Sequence, residues 1–393
     1  MKIAVVGLGK AGLPLAAVIA DSGLEVIGVD ISKERVAKIN KGINPIPEEQ
    51  ELGVLLKKHA GSNLKATTDY NDAKQCDAFI VIVPLLIDDA KKPDFAILKQ
   101  AFLAVAEVMK PKSLVVLETT VPPGTTETKV KQWLDSSGKP YYLAYSPERI
   151  MTGYSISRYR EFPKVVAGID AESGRLALEL YKRFCNAVHL VSSIRTAELI
   201  KVAEGVYRDV NIALANELYK VSNELGVDFY EVRKYANHRY CHIHKPGNVG
   251  GHCIPIYPWF LINQHNVPLI KLARELNDEM LNFYAKRLQQ IVPKGGKVLV
   301  VGLSFREGVK EVAYSRSIPL IAMLKQQGYE VYVYDPLFTE EEIRGLGFKY
   351  SKDFSSMDGI IVMNYYPELR DGLMLYKDKV VDVKGVFNDF AVD

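Results

Sequence analysis

The chain has 393 residues, 48% hydrophobic and 25% charged, a balance typical of folded proteins with two or three cores and not of disordered chains. Its formal net charge of +3 is small for this length and no long basic block occurs, so neither nucleic acid nor a membrane surface is indicated as a partner. Four cysteines are too few for a disulfide scaffold, no apolar run approaches the roughly 20 residues of a membrane span, and no cleavable leader is expected, which favours a cytoplasmic location.

The first half of the chain alternates short β-branched runs with helical patterns. This alternation predicts a parallel, doubly wound α/β sheet. The predicted strands are 2–6, 25–29, 78–83, 114–117 and 164–168, and the clearest amphipathic segments between them are 11–22 and 95–109.

A glycine turn follows the first predicted strand. Gly7, Gly9 and Gly12 open a helix, and such a turn lets backbone N–H groups and the positive helix end hold a pyrophosphate. Asp30 ends the next strand, where a carboxylate accepts hydrogen bonds from a ribose diol and repels a 2′-phosphate, so the pattern predicts NAD as cofactor rather than NADP. Arg35 either lies near the adenine or is a solvated charge. A flavin protein or a non-binding domain is the alternative reading.

Polar groups gather at three further places. Thr120 lies in a hydroxyl-rich segment where a strand ends, and Glu148 follows a Ser-Pro turn at the end of another strand, the edge at which open α/β sheets bind ligands. Lys201 lies on a largely apolar helical segment, where an ammonium group either binds an oxyanion or extends to solvent.

From about residue 195 to 235 the pattern is helical and has no proline. One long helix between domains is the expected structure, and its apolar residues on more than one face predict a contact with a second subunit. Strand and helix patterns return at 297–302, 318–327 and 330–336. The predicted domains are therefore 1–195, 196–292 and 293–393.

The stretch Gly250-Gly251-His252-Cys253 places a thiol beside two glycines. We expect bare backbone there to give a substrate close access, and a thiolate can attack a carbonyl carbon. Together with a hydride acceptor at the glycine turn, the thiol indicates oxidation of an aldehyde through a thioester.

These segments, in this order, resemble the nucleotide-sugar 6-dehydrogenases, the family of UDP-glucose and UDP-N-acetylmannosamine dehydrogenases. The resemblance covers essentially the whole chain and is nearest to the branch that acts on UDP-N-acetylhexosamines. It rests on Gly250 to Pro255, Ser146 to Arg149, Tyr207 to Glu217 and Val333 to Pro336. It implies an N-terminal NAD-binding Rossmann domain, a central helical domain through which the protein dimerises, and a smaller UDP-binding α/β domain.

The resemblance also implies the chemistry. The C6 alcohol of a UDP-sugar is oxidised to the uronate with Cys253 as nucleophile, Glu148 as general base, Lys201 at the oxyanion, and Thr120 positioning water beside the cofactor. The implied contacts with the substrate come from Glu148, Arg149, Lys201, Gly250, Gly251, His252 and Arg306.

Four departures from the family pattern fall at functional positions. Tyr257 stands where relatives carry an aspartate, Gly205 replaces an asparagine, and Ala313 replaces an arginine. The segment Val83-Pro84-Leu85-Leu86 lacks a Thr-Pro pair. Two explanations therefore compete: an active enzyme with a rebuilt water network, or a weakened paralogue that keeps the fold and some binding. UDP-glucose 6-dehydrogenase is a further alternative.

Other classes of function are alternatives. Histidines and cysteines concentrate between residues 238 and 253, as at a metal site, but their spacing fits no closed zinc pattern, and no metal is expected. A 3-hydroxyacid dehydrogenase would need no cysteine, and a sensor would bind the nucleotide sugar without forming NADH. In relatives a partner subunit supplies an arginine before the cysteine loop; here Arg239 is offset by one residue and Tyr240 stands at the aligned position.

Overall fold

The computed structural model describes residues 1–388. The chain separates into two compact units, and the division falls between Glu204 and Gly205. Each unit is built on its own sheet with helices connecting the strands, so the predicted α/β class is confirmed.

An eight-stranded sheet forms the first unit, in the order β10-β9-β8-β7-β4-β1-β2-β3. The central strands are buried on both faces, which explains their continuous apolar sequences. The sheet is not entirely parallel as predicted, because β9 pairs antiparallel with β8 through Ala144 and Gly168. The strands, including a separate two-stranded hairpin of β5 and β6, are β1 (Lys2–Val6), β2 (Glu25–Val29), β3 (Leu64–Thr67), β4 (Ala78–Val81), β5 (Leu86–Ile87), β6 (Pro93–Asp94), β7 (Ser113–Leu117), β8 (Tyr141–Tyr145), β9 (Lys164–Gly168) and β10 (Val188–Leu190).

Helices cover this sheet, and the first of them is buried along nearly its whole length. Residues 12–20 of that helix are all buried, because it contacts both the sheet and neighbouring helices; the predicted amphipathic pattern there was wrong. The helices are α1 (Gly12–Asp21), α2 (Lys33–Asn40), α3 (Gln50–His59), α4 (Ala96–Val108), α5 (Lys131–Asp135), α6 (Ser155–Glu161) and α7 (Ala171–Tyr181), with a 3-10 turn at Tyr70–Ala73 and a π turn at Thr126–Val130.

The long helix predicted after residue 195 is present as α8 (Ile194–Leu225) and ends earlier than expected. Gly226 adopts a φ of +68°, which stops the helix. The side chain of Asp228 then accepts a hydrogen bond from the backbone of Tyr230 and caps α9 (Phe229–Ala236).

The second unit contains a five-stranded parallel sheet in the order β13-β12-β11-β14-β15. Its core lies between this sheet and the helices that pack on it. The strands are β11 (Lys297–Val301), β12 (Glu330–Tyr334), β13 (Lys349–Tyr350), β14 (Gly359–Val362) and β15 (Val380–Asp382). The remaining helices are α10 (Tyr257–Ile262), α11 (Pro268–Ile291), α12 (Ser317–Gln326), α13 (Glu340–Gly345) and α14 (Arg370–Met374), with 3-10 turns at Pro367–Leu369 and Lys377–Lys379.

Across residues 1–388, none of the helices combines the length and the apolar character that crossing a membrane requires.

Candidate active site

The glycine turn of the first unit has the shape that a dinucleotide needs. Gly7 has a φ of +93°, and a Cβ atom on it would lie 2.6 Å from the carbonyl oxygen of Ile82. A Cβ atom on Gly12 would lie 1.8 Å from the carbonyl oxygen of Gly7, whereas a Cβ atom on Gly9 would meet no atom within 4 Å. Gly7 and Gly12 are therefore required by packing, and Gly9 leaves open space beside the turn. No side chain caps α1, so the residues present fit a bound pyrophosphate.

Asp30 follows β2 beside this turn and is only 7% exposed. Its carboxylate accepts hydrogen bonds from the backbone N–H groups of Leu8, at 2.8 Å, and Ser32, at 2.9 Å. Arg35 donates to both carboxylate oxygens at 3.2 and 3.1 Å. The sequence left Arg35 either near the adenine or in solvent, and the structure places its guanidinium against the carboxylate expected to bind the ribose.

At the end of β7, three consecutive polar residues differ in role, and Thr120 is the one predicted from the sequence as a site residue. Glu118 is fully buried between Lys164 and Tyr181, and burial raises the pKa of its carboxyl group. Thr119 donates its hydroxyl to the carbonyl of Val83 at 2.6 Å. Thr120 comes next and is 8% exposed. Glu118 and Thr119 thus stabilise the end of β7, and Thr120 is the polar residue that follows them.

Glu148 and Arg149 follow β8. The backbone N–H of Glu148 donates to the carbonyl of Glu118 at 3.2 Å, and its carboxylate accepts from the backbone N–H of Ile150. Arg149, predicted to bind substrate, forms an ion pair with Glu204 and lies 4.6 Å from the ring centroid of Phe162. Its guanidinium is therefore already engaged within the first unit.

Glu198 is a functional candidate that the sequence prediction missed. It lies on α8, three residues before the half-buried Lys201, and is fully buried. Its carboxylate accepts from the backbone N–H groups of Gly124, at 2.5 Å, and Thr126, at 2.9 Å, and from the Thr126 hydroxyl at 2.6 Å. Burial raises the pKa of Glu198 to about 7. The sequence does contain a signal for Glu198, because its carboxylate lies in the same largely apolar helical segment as Lys201.

In the second unit, Cys253 is exposed and forms no disulfide. Its carbonyl accepts hydrogen bonds from the backbone N–H groups of Ile256, at 3.1 Å, and Tyr257, at 3.0 Å. These bonds form the turn that leads into α10. The thiol is therefore carried on a short turn fixed to the start of a helix.

The glycines before the thiol pack closely against a neighbouring segment of the chain. Gly251 has a φ of +91°, is buried, and donates its N–H to the carbonyl of Tyr314 at 3.2 Å. A Cβ atom on Gly251 would lie 2.9 Å from the ring of Phe305, and one on Gly250 would lie 2.9 Å from the Tyr314 carbonyl oxygen. The 305–316 segment therefore fills the space beside both glycines, and a side chain at either position would meet it.

The two predicted substrate contacts near this loop have partners within the unit. His252 bonds to Glu311 at 2.6 Å and packs edge-on against the ring of Tyr314. Arg306 lies with its guanidinium 5.8 Å from the ring centroid of Phe305. Both side chains therefore help to fix the segment that supports the cysteine loop.

Three domains of one family match this chain. The NAD binding domain of the UDP-glucose/GDP-mannose dehydrogenase family matches residues 1–185, the central domain residues 195–279, and the UDP binding domain residues 299–389. A UDP-N-acetyl-D-mannosamine dehydrogenase of Methanocaldococcus jannaschii is 37% identical over 361 residues, 90% of this chain and 80% of the relative. The chain belongs to the UDP-glucose/GDP-mannose dehydrogenase family.

Solved structures of relatives agree with this membership. The UDP-D-ManNAc dehydrogenase of Pyrococcus horikoshii superposes with a TM-score of 0.89 at 32% identity, covering 99% of this chain and 96% of that one. A UDP-glucose dehydrogenase of Pyrobaculum islandicum gives a TM-score of 0.88 at 25% identity, covering 97% and 94%. The protein is thus a dehydrogenase of this family, with NAD as its cofactor.

Within this family the departures noted in the sequence have a structural context. Ala313 lies three residues before Arg316, whose Cγ atom would be 3.4 Å from a Cβ atom on Gly250 and whose guanidinium pairs with Asp278 at 3.1 Å. The segment therefore does carry an arginine beside the cysteine loop, one that the sequence prediction missed. A Cβ atom on Gly205 would lie 2.5 Å from the Cδ2 atom of Tyr257, so these two departures are in direct contact.

A buried polar network holds the start of the cysteine loop. Arg274 is 1% exposed and pairs with the buried Asp209 of α8. Asn277 donates to Asp209 at 2.9 Å and accepts from Asn216 at 2.9 Å. Asn216 also exchanges two hydrogen bonds with the backbone of Gly247. The loop is thus tied to α8 and α11 before it reaches the thiol.

The histidine-rich segment before the loop shows ring contacts. His242 and His244 lie with ring centroids 5.0 Å apart, and Tyr240 is 84% exposed, with the Arg239 guanidinium 5.5 Å from its ring centroid. In the part of the chain that the structure describes, no group of three or more His, Cys, Asp or Glu side chains is arranged to hold a metal ion.

Proposed function

We propose that this protein catalyses the NAD-dependent, four-electron oxidation of C6 of a UDP-N-acetylhexosamine to the uronate, through a thioester on Cys253. The observation that carries the proposal is the exposed Cys253 thiol on a turn that is braced by the 305–316 segment, in a chain 35–37% identical to two UDP-N-acetyl-D-mannosamine dehydrogenases over most of its length. UDP is the expected nucleotide because residues 299–389 match the UDP binding domain of the family.

The cofactor is held by backbone and one carboxylate. The open space at Gly9 and the uncapped start of α1 receive the pyrophosphate, and Asp30 receives the ribose diol. When bound, NAD supplies the hydride acceptor for each of the two oxidations.

In the proposed mechanism the Cys253 thiolate is the nucleophile that forms the covalent intermediate. After the alcohol has become an aldehyde, the Cys253 thiolate attacks the carbonyl carbon, a C–S bond forms, and the π electron pair moves to oxygen. Loss of hydride from that carbon gives the thioester. Water then attacks the thioester carbon, and the C–S bond breaks to return the thiolate and release the carboxylate.

Three residues of the first unit assist these steps in the proposal. Glu148 takes the proton of the attacking water, and its half-buried carboxylate is held by the backbone of Ile150. Lys201 donates to the oxygen that carries negative charge. Thr120 holds the water, and Glu198 fixes the loop that follows Thr120.

The test is NADH release from purified protein over a panel of UDP-sugars. We expect two NADH for each uronate, with UDP-N-acetylhexosamines preferred and with no uronate from Cys253→Ala. Cys241→Ala is the matched control, since Cys241 likewise forms no disulfide but lies outside the proposed site. Turnover of UDP-glucose alone would replace the proposed substrate, and tight UDP-sugar binding without NADH would contradict the proposal.

A weakened paralogue is the competing function, and it is favoured by the absence at Gly205 and Tyr257 of the polar side chains that the family resemblance leads us to expect. Mass spectrometry after incubation with NAD and substrate separates the two. An acyl adduct that persists on Cys253 would indicate failed hydrolysis, whereas rapid uronate release with no adduct would exclude the weakened form.

We also propose a cytoplasmic homodimer that associates through α8. Tyr207, Leu214 and Val221 are spaced by seven residues, so they share one face, and each is about half exposed, at 55%, 50% and 47%. Leu214→Glu is expected to shift the mass measured by light scattering from dimer to monomer. Leu346→Glu, at a similarly exposed leucine elsewhere, should leave that mass unchanged. A wild-type monomer would refute the proposal.

The division of labour in this proposal is NAD binding by residues 1–195, subunit contact and the thiol by residues 196–292, and UDP-sugar binding by residues 293–393. None of the four cysteines, all of which lie in the described residues, forms a disulfide, which is in keeping with the cytoplasmic location.

A further inference from the structure

Gly205 and Tyr257 are 52 positions apart in the sequence and touch in the fold. A Cβ atom built on Gly205 would lie 2.5 Å from Cδ2 of Tyr257 and 3.2 Å from both its Cβ and Cγ atoms. Real Cβ atoms do not approach ring carbons to 2.5 Å. No residue other than glycine therefore fits at position 205 while the Tyr257 ring keeps this position.

The position of the Tyr257 ring is coupled to the position of the reactive thiol. Tyr257 is the first residue of α10, is 7% exposed, and lies with its ring centroid 5.8 Å from that of Phe260. Its backbone N–H donates to the carbonyl of Cys253 at 3.0 Å. A displacement of the ring would therefore be transmitted through one hydrogen-bonded turn to Cys253.

The opposite side of the cysteine loop is also held in place, so the contact between Gly205 and Tyr257 affects the position of the thiol. Gly250 and Gly251 pack against Tyr314 and Phe305, so the loop cannot shift toward that segment to make room. The contact of Tyr257 with α8 is the second boundary of the loop. Two boundaries fix the thiol more closely than one, and a misplacement of about 1 Å can cost roughly 100-fold in rate.

We propose that Gly205 and Tyr257 form a complementary pair that positions Cys253, with the aromatic ring seated on bare helix backbone in place of the two polar side chains expected at these positions. Tyr257 is in this view a positioning residue that acts through ring packing. The inference rests on the proposed function of Cys253 as nucleophile. It accounts for both departures at once, because a bulky residue at 257 requires glycine at 205.

The first experiment uses Gly205→Ala, which adds a single methyl group inside the contact. Alanine favours a helix over glycine by about 1 kcal/mol, so the helix itself should not weaken. We expect kcat to fall by about tenfold or more with thermal stability retained. The matched control is Gly345→Ala, because Gly345 also lies in a helix of the second unit and a Cβ atom there meets nothing within 4 Å. It should keep wild-type activity.

The second experiment is a double-mutant cycle with Tyr257→Ala. If the residues form one pair, Gly205→Ala costs about tenfold in wild type but less than about twofold when Tyr257 is already alanine. Equal costs in both backgrounds would overturn the pairing. Tyr257→Phe keeps the ring and is expected to stay within about threefold of wild type; a loss as large as that of Tyr257→Ala would show that the hydroxyl acts instead and would overturn the role of ring packing.

A third measurement does not depend on the identity of the substrate. The rate at which iodoacetamide alkylates Cys253, followed by peptide mass spectrometry across pH 6 to 9, reports the exposure and ionisation of the thiol. We expect Gly205→Ala and Tyr257→Ala to change this profile and Tyr257→Phe and Gly345→Ala to leave it unchanged, with Cys241 as the internal standard. If uronate formation fails on every UDP-sugar but this pattern of alkylation is found, the proposed function is wrong and the positioning of Cys253 by Gly205 and Tyr257 is supported. Unchanged alkylation profiles in all variants would overturn the proposed positioning.

Discussion

The two units begin their sheets with the same arrangement of strand, glycine and aspartate. In the first, the N–H of Gly7 donates to the carbonyl of Val29 at 2.8 Å, and the N–H of Leu8 donates to Asp30 at 2.8 Å. In the second, Gly302 donates to Tyr334 at 2.7 Å, and Leu303 donates to Asp335 at 2.7 Å. Both glycines have positive φ, at +93° and +97°.

The residues around the two aspartates differ. Asp335 is fully buried and also accepts from the Ser304 hydroxyl at 3.0 Å and the Tyr366 hydroxyl at 2.8 Å. Asp30 instead accepts from the backbone N–H of Ser32 and from the partly exposed guanidinium of Arg35, and open space remains beside Gly9. The shared motif is thus first a means of joining two strands. It becomes a candidate ligand site only where neighbouring positions are small and the carboxylate is bordered by a partly exposed side chain, here Arg35.

The largest expected effect is on stability at Asp335. Asp335→Ala leaves the N–H groups of Leu303 and Ser304 buried without their acceptor, and we expect the free energy of unfolding to fall by about 3–5 kcal/mol. Urea unfolding of the full chain measures this loss. Asp335→Asn, which keeps one acceptor oxygen, should lose less. An Asp335→Ala variant with normal stability but weak NAD binding would mean that Asp335, and not Asp30, is the aspartate that binds the cofactor.

Glu198 extends the comparison to pH, because it too is a buried carboxylate that accepts hydrogen bonds from groups of its own unit. Burial raises the pKa of its carboxyl group to about 7 in the folded chain, from an ordinary value of 4.5. Between these pH values the unfolded chain loses the proton first, so this group's contribution to stability falls as pH rises, by up to about 3 kcal/mol in total. The measurement is urea unfolding of wild type and Glu198→Gln at pH 5, 6, 7 and 8. The stability of the variant relative to wild type should rise across the series, and parallel curves would contradict the assignment.

At Asp30 we expect a large effect on NAD binding and a smaller effect on the stability of the fold. Asp30→Ala should weaken NAD binding by roughly 10- to 100-fold, the loss of charge-assisted hydrogen bonds to the ribose, while destabilising the fold less than Asp335→Ala does. Titration calorimetry with NAD measures the affinity. Asp72→Ala, at an exposed carboxylate in the same unit, is the control. Unchanged NAD affinity would mean that Asp30 is a structural residue like Asp335.

The smallest expected effect is at Gly9. A Cβ atom there meets nothing within 4 Å, so Gly9→Ala should change the free energy of unfolding by less than about 0.5 kcal/mol. It should still weaken NAD binding about tenfold, because the methyl group enters the space for the pyrophosphate. Gly53→Ala, where a Cβ atom makes only ordinary contacts at 3.7 Å, controls for the substitution itself. Equal NAD affinity in both variants would remove Gly9 from the cofactor site.

Local sequence patterns predicted much of this molecule. The alternation of strands and helices gave the α/β class, and the predicted strands at 2–6 and 25–29 have the bounds of β1 and β2. Gly7 and Asp30 were recognisable because the turn and the strand end lie close together in the sequence and have narrow steric demands. The antiparallel pairing of β9 was not predicted, because strand direction depends on how distant segments meet.

In the candidate site, too, some features follow from the local sequence and others depend on how distant segments meet. The sequence by itself determined that Cys253 is a thiol in a glycine-rich segment, that Gly9 follows a strand, and that the chain carries the motifs of its family. Only the tertiary structure decided that Tyr257 lies on Gly205, that Glu198 holds Gly124 and Thr126, and that Phe305 fills the space beside Gly251. The physical reason is that turn and helix preferences act over a few neighbouring residues, whereas the packing of a ring against a bare backbone exists only once residues some 50 to 75 positions apart have been brought together by folding.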